Sequence, residues 1–230
     1  MDMQDRLKRK AAEAAVDFLE SGMVIGLGTG STAKYAVERI AKLYKDGKLK
    51  DIVGIPSSVA TFDLARAMGV PLATFAERDF IDINIDGADE VDPNLDVIKG
   101  GGGALLQEKI VAQQSRRNII IVDESKLSPM LGTLFALPVE IVPFGLHTEK
   151  KYLESLGAQV TVRQNVISKP FRTDHKNLIL DAKFGPIQDP QALADKLSRR
   201  AAVVEHGLFL GLVTDVIVAG GGGVRHLKRP

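Results

Sequence analysis

The sequence predicts an α/β protein: a mostly parallel sheet with helices on both faces, plus a smaller α+β domain. Two patterns lead there. Over roughly the first half of the chain, short apolar runs alternate with stretches of helical period, the rhythm of βαβ units and a parallel sheet. From Leu137-Pro138 onward the order becomes strand, helix, strand, strand, helix, and that rhythm is lost. With 230 residues, 45% hydrophobic and 26% charged, the chain can build one large core or a main domain with a smaller partner.

At the start, Leu7, Ala11, Ala14, Ala15 and Phe18 recur at helical spacing. MVIGL then reads as a strand, GTGST as a tight turn, and Ala33, Val37, Ile40 and Tyr44 as one face of a helix. IVGIP repeats the strand. SSVATFDLARAMG repeats the helix, with Val59, Phe62, Ala65 and Met68 nearly in line, and VPLATF reads as a further strand. IDINID alternates Ile81, Ile83 and Ile85 with Asp82, Asn84 and Asp86, the period of a half-buried strand. Residues 104–115 read as a helix and NIIIV as a buried strand.

In the second part, PVEIVPF, HTEKKYLESLGA, QVTVRQ and NLILDAKF give strand, helix, strand and strand, with TDHKN as a turn. Asp189 can cap the next helix, with Pro190 in its first position. The apolar runs after His206 return to the main sheet. The expected domains are therefore 1–136 with 205–230, and 137–204.

Composition narrows the function. A net charge of +1 gives no bulk attraction for nucleic acid or an acidic membrane, so any anion must be caught by a local site. There is no cysteine, which excludes disulfides and thiolate metal sites. The first twenty residues lack the continuous apolar region of a signal peptide, and no run is long enough to span a bilayer. No nucleic acid and no membrane are expected as partners.

The polar loops follow the strands. GTGST comes after MVIGL, SS after IVGIP, DGADE after IDINI, KGGGG after DVI, and DESK after IIIV. In an open parallel sheet the carboxyl ends of the strands share one edge where ligands bind, so these loops should converge. GTGST opens a helix, and its N–H groups with the hydroxyls of Ser31 and Thr32 suit an anion. A dinucleotide site would need G-x-G-x-x-G, but Gly26, Gly28 and Gly30 are spaced G-x-G-x-G, and no acid ends the second strand. The phosphate-binding loop signature is also missing. A phosphate cradle without a nucleotide remains, beside a turn that simply needs glycine.

Asp86 and Asp89 end a strand three residues apart, and one turn can aim both inward; their spacing matches no calcium loop and no histidine is near. Glu90, Asp92 and Asp96 read as a solvated acidic loop. Lys99 precedes four glycines, which fits backbone lying against a ligand and donating N–H groups near a cation, or else a flexible loop. Glu108 has Ala104, Leu105, Val111 and Ala112 as helical neighbours. A carboxylate on that face is poorly solvated and suited to proton abstraction, unless it pairs with Lys109 or Arg116. Lys126 suits a phosphate, and Lys8 is a weaker candidate. The four histidines lie outside these loops and receive no catalytic role.

GLGTGSTA, DGADEVD, KGGGGALLQEK and VVEHGLFLGLVTDVIVAG together resemble the A-type ribose-5-phosphate isomerases, in order and over nearly the whole chain. The resemblance implies a Rossmann-like main domain with a smaller ferredoxin-like domain, a phosphopentose substrate, and aldose–ketose isomerisation through an enediolate, with no metal and no cofactor. By the same resemblance Glu108 is the proton-shuttling base, Asp86 and Asp89 are acids for ring opening and hydroxyl protons, and Lys99 steadies the enediolate. Thr29, Gly30, Ser31 and Thr32, with Gly87, Ala88, Gly100, Gly101 and Gly102, match substrate-binding loops. Lys126, with Lys8, matches the phosphate side. The family pattern has a small residue after three glycines, and Gly103 stands there. A homo-oligomer, dimer or tetramer, and a cytoplasmic or mature plastid location are also implied. A sugar-phosphate sensor, or a deaminase or coenzyme A transferase on a related scaffold, would use a similar cradle.

Overall fold

The computed structural model describes residues 2–229. In chain order its elements are α1 (Met3–Val16), β1 (Val24–Leu27), α2 (Gly30–Lys45), β2 (Val53–Pro56), α3 (Val59–Ala67), β3 (Ile81–Gly87), β4 (Glu90–Val91), β5 (Val97–Ile98), α4 (Leu105–Gln113) and β6 (Ser115–Asp123). They continue with β7 (Leu137–Ile141), α5 (Leu146–Ser155), β8 (Gln159–Val162), β9 (Leu178–Lys183), α6 (Pro190–Ser198), β10 (Val203–His206), β11 (Leu208–Phe209), β12 (Asp215–Gly220) and β13 (Gly223–Lys228).

Contacts divide the chain into two units. One comprises Met1–Ala88, Gln107–Lys126 and Gly211–Pro230; the other comprises Asp89–Leu106 and Leu127–Leu210. The smaller domain expected at 137–204 thus gains residues 89–106, 127–136 and 205–210. The reason is a three-stranded sheet, β11–β5–β4, whose pairs are too short to stand out in the sequence. Ile98 and Leu208 of that sheet belong to the same apolar cluster as Leu137, Val139 and Leu180.

In the first unit the sheet runs β13–β12–β6–β3–β1–β2, parallel except for the edge pair β12–β13. Ile25, Leu27, Ile83, Ile85, Ile119, Ile121 and Ile217 share one cluster with apolar residues of α1, α2 and α3. Val24 and Ile55, of opposite parity in their strands, pack with Val111 of α4. Helices therefore cover both faces, because a central parallel strand is apolar on both sides. The β12–β13 edge is tied by Asp215, which accepts from Arg117 Nε and Nη2 at 2.9 and 2.8 Å and lies 2.6 Å from His226 Nε2. Burial pushes that carboxyl up, but the hydrogen bonds from Arg117, Thr214 and His226 outweigh it and hold it well below the usual carboxylate range.

Three expectations change. The run VPLATF makes only a single bridge, Leu72 to Gly54. On α3 the buried residues are Thr61 and Ala65, while Val59 is 52% exposed and Phe62 and Met68 are also exposed. The nine-residue helix is too short for its apolar count alone to set the face. Strand β3 is buried on both faces rather than one, since it sits between β1 and β6, and Asn84 donates to Asn118 Oδ1 at 2.7 Å inside the sheet.

In the second unit β10–β7–β9–β8 forms an antiparallel sheet, with Leu153 of α5 and Leu197 of α6 in its core. Asp189 caps α6 by accepting from Ala192 N at 2.9 Å, and Pro190 follows in the first turn, as the sequence indicates.

Candidate active site

The order β2–β1–β3 places a topological switch between β1 and β3: the chain leaves β1 toward one side and returns on the other. Ligands of open α/β sheets bind at the carboxyl ends of such strands. The turn after β1 and the end of β3 meet there. Gly28 N donates to Ile85 O at 3.0 Å and Thr29 N to Asp86 Oδ1 at 3.0 Å. Gly87 N donates to the same Asp86 oxygen at 2.7 Å. Asp86 is 0% exposed, and a Cβ on Gly28 would collide with its carboxylate. Gly28 is therefore required so that the 28–32 turn can lie against Asp86.

The turn is also held from its other side. Thr61 Oγ1 donates to Gly28 O at 3.0 Å, and Thr29 Oγ1 lies 2.9 Å from Ser58 Oγ. Thr29 is the N-cap of α2, yet its side chain makes no capping bond because Ser58 engages it. The first turn of α2 thus begins without a side-chain cap, next to exposed Ser31 and half-buried Thr32. Those groups and the positive end of the helix dipole can meet an anion. Lys126, half-buried in a short 3-10 turn, follows β6 at the same carboxyl edge. Lys8 is half-buried on α1.

Lys99 and its glycines stand elsewhere in the topology. They follow β5, which belongs to the three-stranded sheet, so they are not a strand end of the main sheet as expected. Lys99 is 3% exposed, its N donates to Gly207 O at 3.0 Å, and its ammonium lies 5.7 Å from the centre of the Phe209 ring. Asp89 accepts from Gly101 N through Oδ2 at 2.7 Å. A Cβ on Gly101 would strike that carboxylate. Gly100 and Gly103 have φ of 97° and 87°, and Gly103 N donates to Gly100 O at 2.9 Å. Gly102 alone of the four has neither a positive φ nor any atom within 4 Å of a Cβ placed on it.

Glu108 is 4% exposed on α4, and Leu105, Val111 and Ala112 are buried with it, as the helical spacing indicates. Arg116, named as its alternative partner, instead pairs with Asp82 at 3.3 Å and lies over the Phe80 ring. Two of the three acids expected to be solvated are buried, while Asp96 is partly exposed. Glu90 is 0% exposed and accepts four backbone amides, from Gly132, Thr133, Leu134 and Phe135, at 3.0–3.1 Å. Asp92 is buried and organises its own turn by accepting from Asn94 N and Asp96 N. Burial pushes its carboxyl up, against the pull of those amides.

Sequence reasoning missed one residue that touches the glycine loop. Arg163 Nη1 donates to Gly100 O at 2.7 Å and to Gly101 O at 3.0 Å, while its other nitrogens engage Asp181. The only signal was an arginine ending the QVTV strand. Among the described residues no group of three His, Asp or Glu side chains is arranged to hold a metal. No described helix is long and apolar enough to cross a membrane.

The family model for ribose 5-phosphate isomerase A (phosphoriboisomerase A) matches residues 53–223. The chain belongs to that family. It is 62% identical over 228 residues to ribose-5-phosphate isomerase A of Desulfatibacillum aliphaticivorans, covering 99% of each chain. Among solved structures it is similar to a D-ribose-5-phosphate isomerase in complex with phospho-erythronic acid, at a TM-score of 0.97 and 39% identity with both chains fully covered. It is also similar to ribose 5-phosphate isomerase from Plasmodium falciparum, at a TM-score of 0.94 and 44% identity, covering 97% of this chain and 98% of that one. The mixed α/β fold is that of the family.

Proposed function

We infer that the 28–32 turn, the 99–103 loop and Glu108 carry the interconversion of ribose 5-phosphate and ribulose 5-phosphate, the reaction that names the family. The observation that carries this reading is a shared construction. Each glycine-rich loop is braced by its own carboxylate, Asp86 on Thr29 N and Asp89 on Gly101 N, and Glu108 is kept from water on a helix.

The chemistry follows from the groups available. In the opened aldose, the Glu108 carboxylate takes the proton from C2. The C–H electrons form the C1–C2 double bond, and the C1 carbonyl oxygen takes up negative charge. The Lys99 ammonium and a loop amide stand against that charge, which is where preorganised donors do most for a rate. The O2 proton passes to O1, Glu108 returns its proton to C1, and C2–O becomes the carbonyl. One hydrogen has moved between carbons and one between oxygens, with no atom gained or lost. A carboxylate that water reaches poorly is a stronger proton acceptor than a solvated one, which suits Glu108 to this task.

Asp86 and Asp89 serve ring opening and hydroxyl protons in this scheme while bracing the loops. Thr29, Gly30, Ser31 and Thr32 with Lys126 and Lys8 take the phosphate, and Gly87 and Ala88 with Gly100, Gly101 and Gly102 take the sugar chain. The solved relative with phospho-erythronic acid, a phosphorylated sugar acid, supports a phosphosugar site of this kind. The exposed Val59 and Phe62 on α3 and Met68 at its C-terminal cap support a homo-oligomer, which light scattering on the purified protein measures. The test of the reading is ribose 5-phosphate with purified protein in EDTA. Ketose should form at the rate seen without chelator, and failure to form ketose in either case would refute it.

A further inference from the structure

We propose that Arg163, itself held by Asp181, is a positioning residue for this isomerisation. It sets the two peptide planes after Gly100 so that the Gly102 amide faces the substrate oxygen on which charge develops. The inference rests on the reading of the 99–103 loop as the enediolate side of the site.

In a trans peptide the C=O of one residue and the N–H of the next point in opposite directions, and no cis peptide occurs among the described residues. Arg163 Nη1 accepts no proton and donates to two successive carbonyls, Gly100 O at 2.7 Å and Gly101 O at 3.0 Å. Both carbonyls therefore turn toward the guanidinium, and the amides of Gly101 and Gly102 both turn away from it. Successive amides aimed to one side form an anion-binding concavity. The first of them is seen at its target: Gly101 N meets Asp89 Oδ2 at 2.7 Å. One peptide is thus gripped at both ends, its carbonyl by Arg163 and its amide by Asp89.

The second amide belongs to Gly102, an exposed residue around whose missing Cβ there is open space. Neither packing nor a positive φ accounts for glycine there. A ligand approaching the backbone does. Two further features fit a device rather than a chance contact. Asp181, on β9, meets the Arg163 Nε at 3.0 Å and also its second terminal nitrogen, so the guanidinium plane is locked before it reaches the loop. The Arg163 backbone is fixed as well, its N donating to Ile179 O at 2.9 Å. A lysine could offer a charge to Asp181 but not the flat fork that serves two carboxylate oxygens and two carbonyls together.

The experiment compares Arg163→Ala, Arg163→Lys and Asp181→Asn with the parent in turnover, KM and affinity for a phosphorylated aldonic acid, whose carboxylate stands in for the enediolate. The expected loss in kcat for Arg163→Ala is roughly 10–10²-fold, with KM within about threefold, because misaimed donors harm the charged intermediate more than the bound substrate. Affinity for the acid should fall in step with kcat. Millimolar guanidinium should restore part of the kcat of Arg163→Ala and none of that of Asp181→Asn. If Arg163→Ala does not fold, the same kcat and acid-affinity losses must appear in Arg163→Lys at unchanged folded fraction. Parent-like kcat and acid affinity in Arg163→Lys and Arg163→Ala, or losses that follow only the unfolded fraction and ignore guanidinium, would overturn the proposal. A Glu108→Gln control separates the two levels. If that variant turns over normally, the site reading has failed; if it is crippled while the Arg163 variants are normal, only the positioning role has.

Discussion

The 28–32 turn and the 99–103 loop are both rich in glycine, yet they use it differently. In the first, Gly28 makes room for the buried Asp86 carboxylate, and Thr29 and Gly87 give their amides to it. In the second, Gly101 does the same for Asp89, Gly100 and Gly103 supply the left-handed backbone, and Gly102 serves no need of the fold. The difference teaches that a run of glycines is not one signal. Within four identical letters, three are explained by how the chain folds and one is left for what the chain binds.

The largest effect is expected at Glu108. Glu108→Gln should lower kcat by roughly 10²–10⁴ or more while the fold is kept, measured as ketose formation beside a melting curve. Parent-like turnover would remove the base from the scheme. Next, Gly28→Ala should destabilise the protein by on the order of 1–3 kcal/mol, because the new methyl must displace a buried carboxylate. Gly101→Ala should cost about as much for the same reason at Asp89. Chemical denaturation measures both, and a neutral result at either would show that its carboxylate is not a fixed brace. Lys126→Ala should weaken substrate binding by about 1.5–3 kcal/mol of charge-assisted bonding, seen chiefly in KM. A collapsed kcat at unchanged KM would contradict its phosphate role.

A smaller effect concerns acid stability. The Asp215 carboxyl is held below its ordinary value in the folded chain, so its contribution is complete above the unfolded carboxylate range. It is lost as pH falls through that range toward the folded value. Melting temperature followed downward from neutral pH should therefore drop below about pH 4. In Asp215→Asn that part of the acid limb should be flatter; an identical limb would show that Asp215 does not set it.

What could be read from the letters is what local spacing controls. The burial of Glu108 follows from apolar neighbours one turn away on either side, and the start of α2 from GTGST, although the loss of its side-chain cap to Ser58 does not. Helix α6 follows from Asp189 and Pro190. The rest depended on partners far along the chain. Alternating IDINID looked half-buried, and only its place between β1 and β6 makes Asn84 and Asp86 interior. The two-residue strands β4, β5 and β11 carry no periodicity, so Lys99 was assigned to the wrong sheet and Glu90 to solvent. Arg163 lies more than sixty positions from the carbonyls it holds, and no spacing rule connects them.

The comparison of the loops reduces to Gly102. Gly102→Ala adds a methyl group in open space, so its melting curve should match the parent within about 0.5 kcal/mol. Its kcat/KM for ribose 5-phosphate should nevertheless fall by at least roughly tenfold, because the backbone can no longer approach the sugar. An equally stable variant with parent-like kcat/KM would show that no ligand lies against that glycine, and the account of the loop would be wrong.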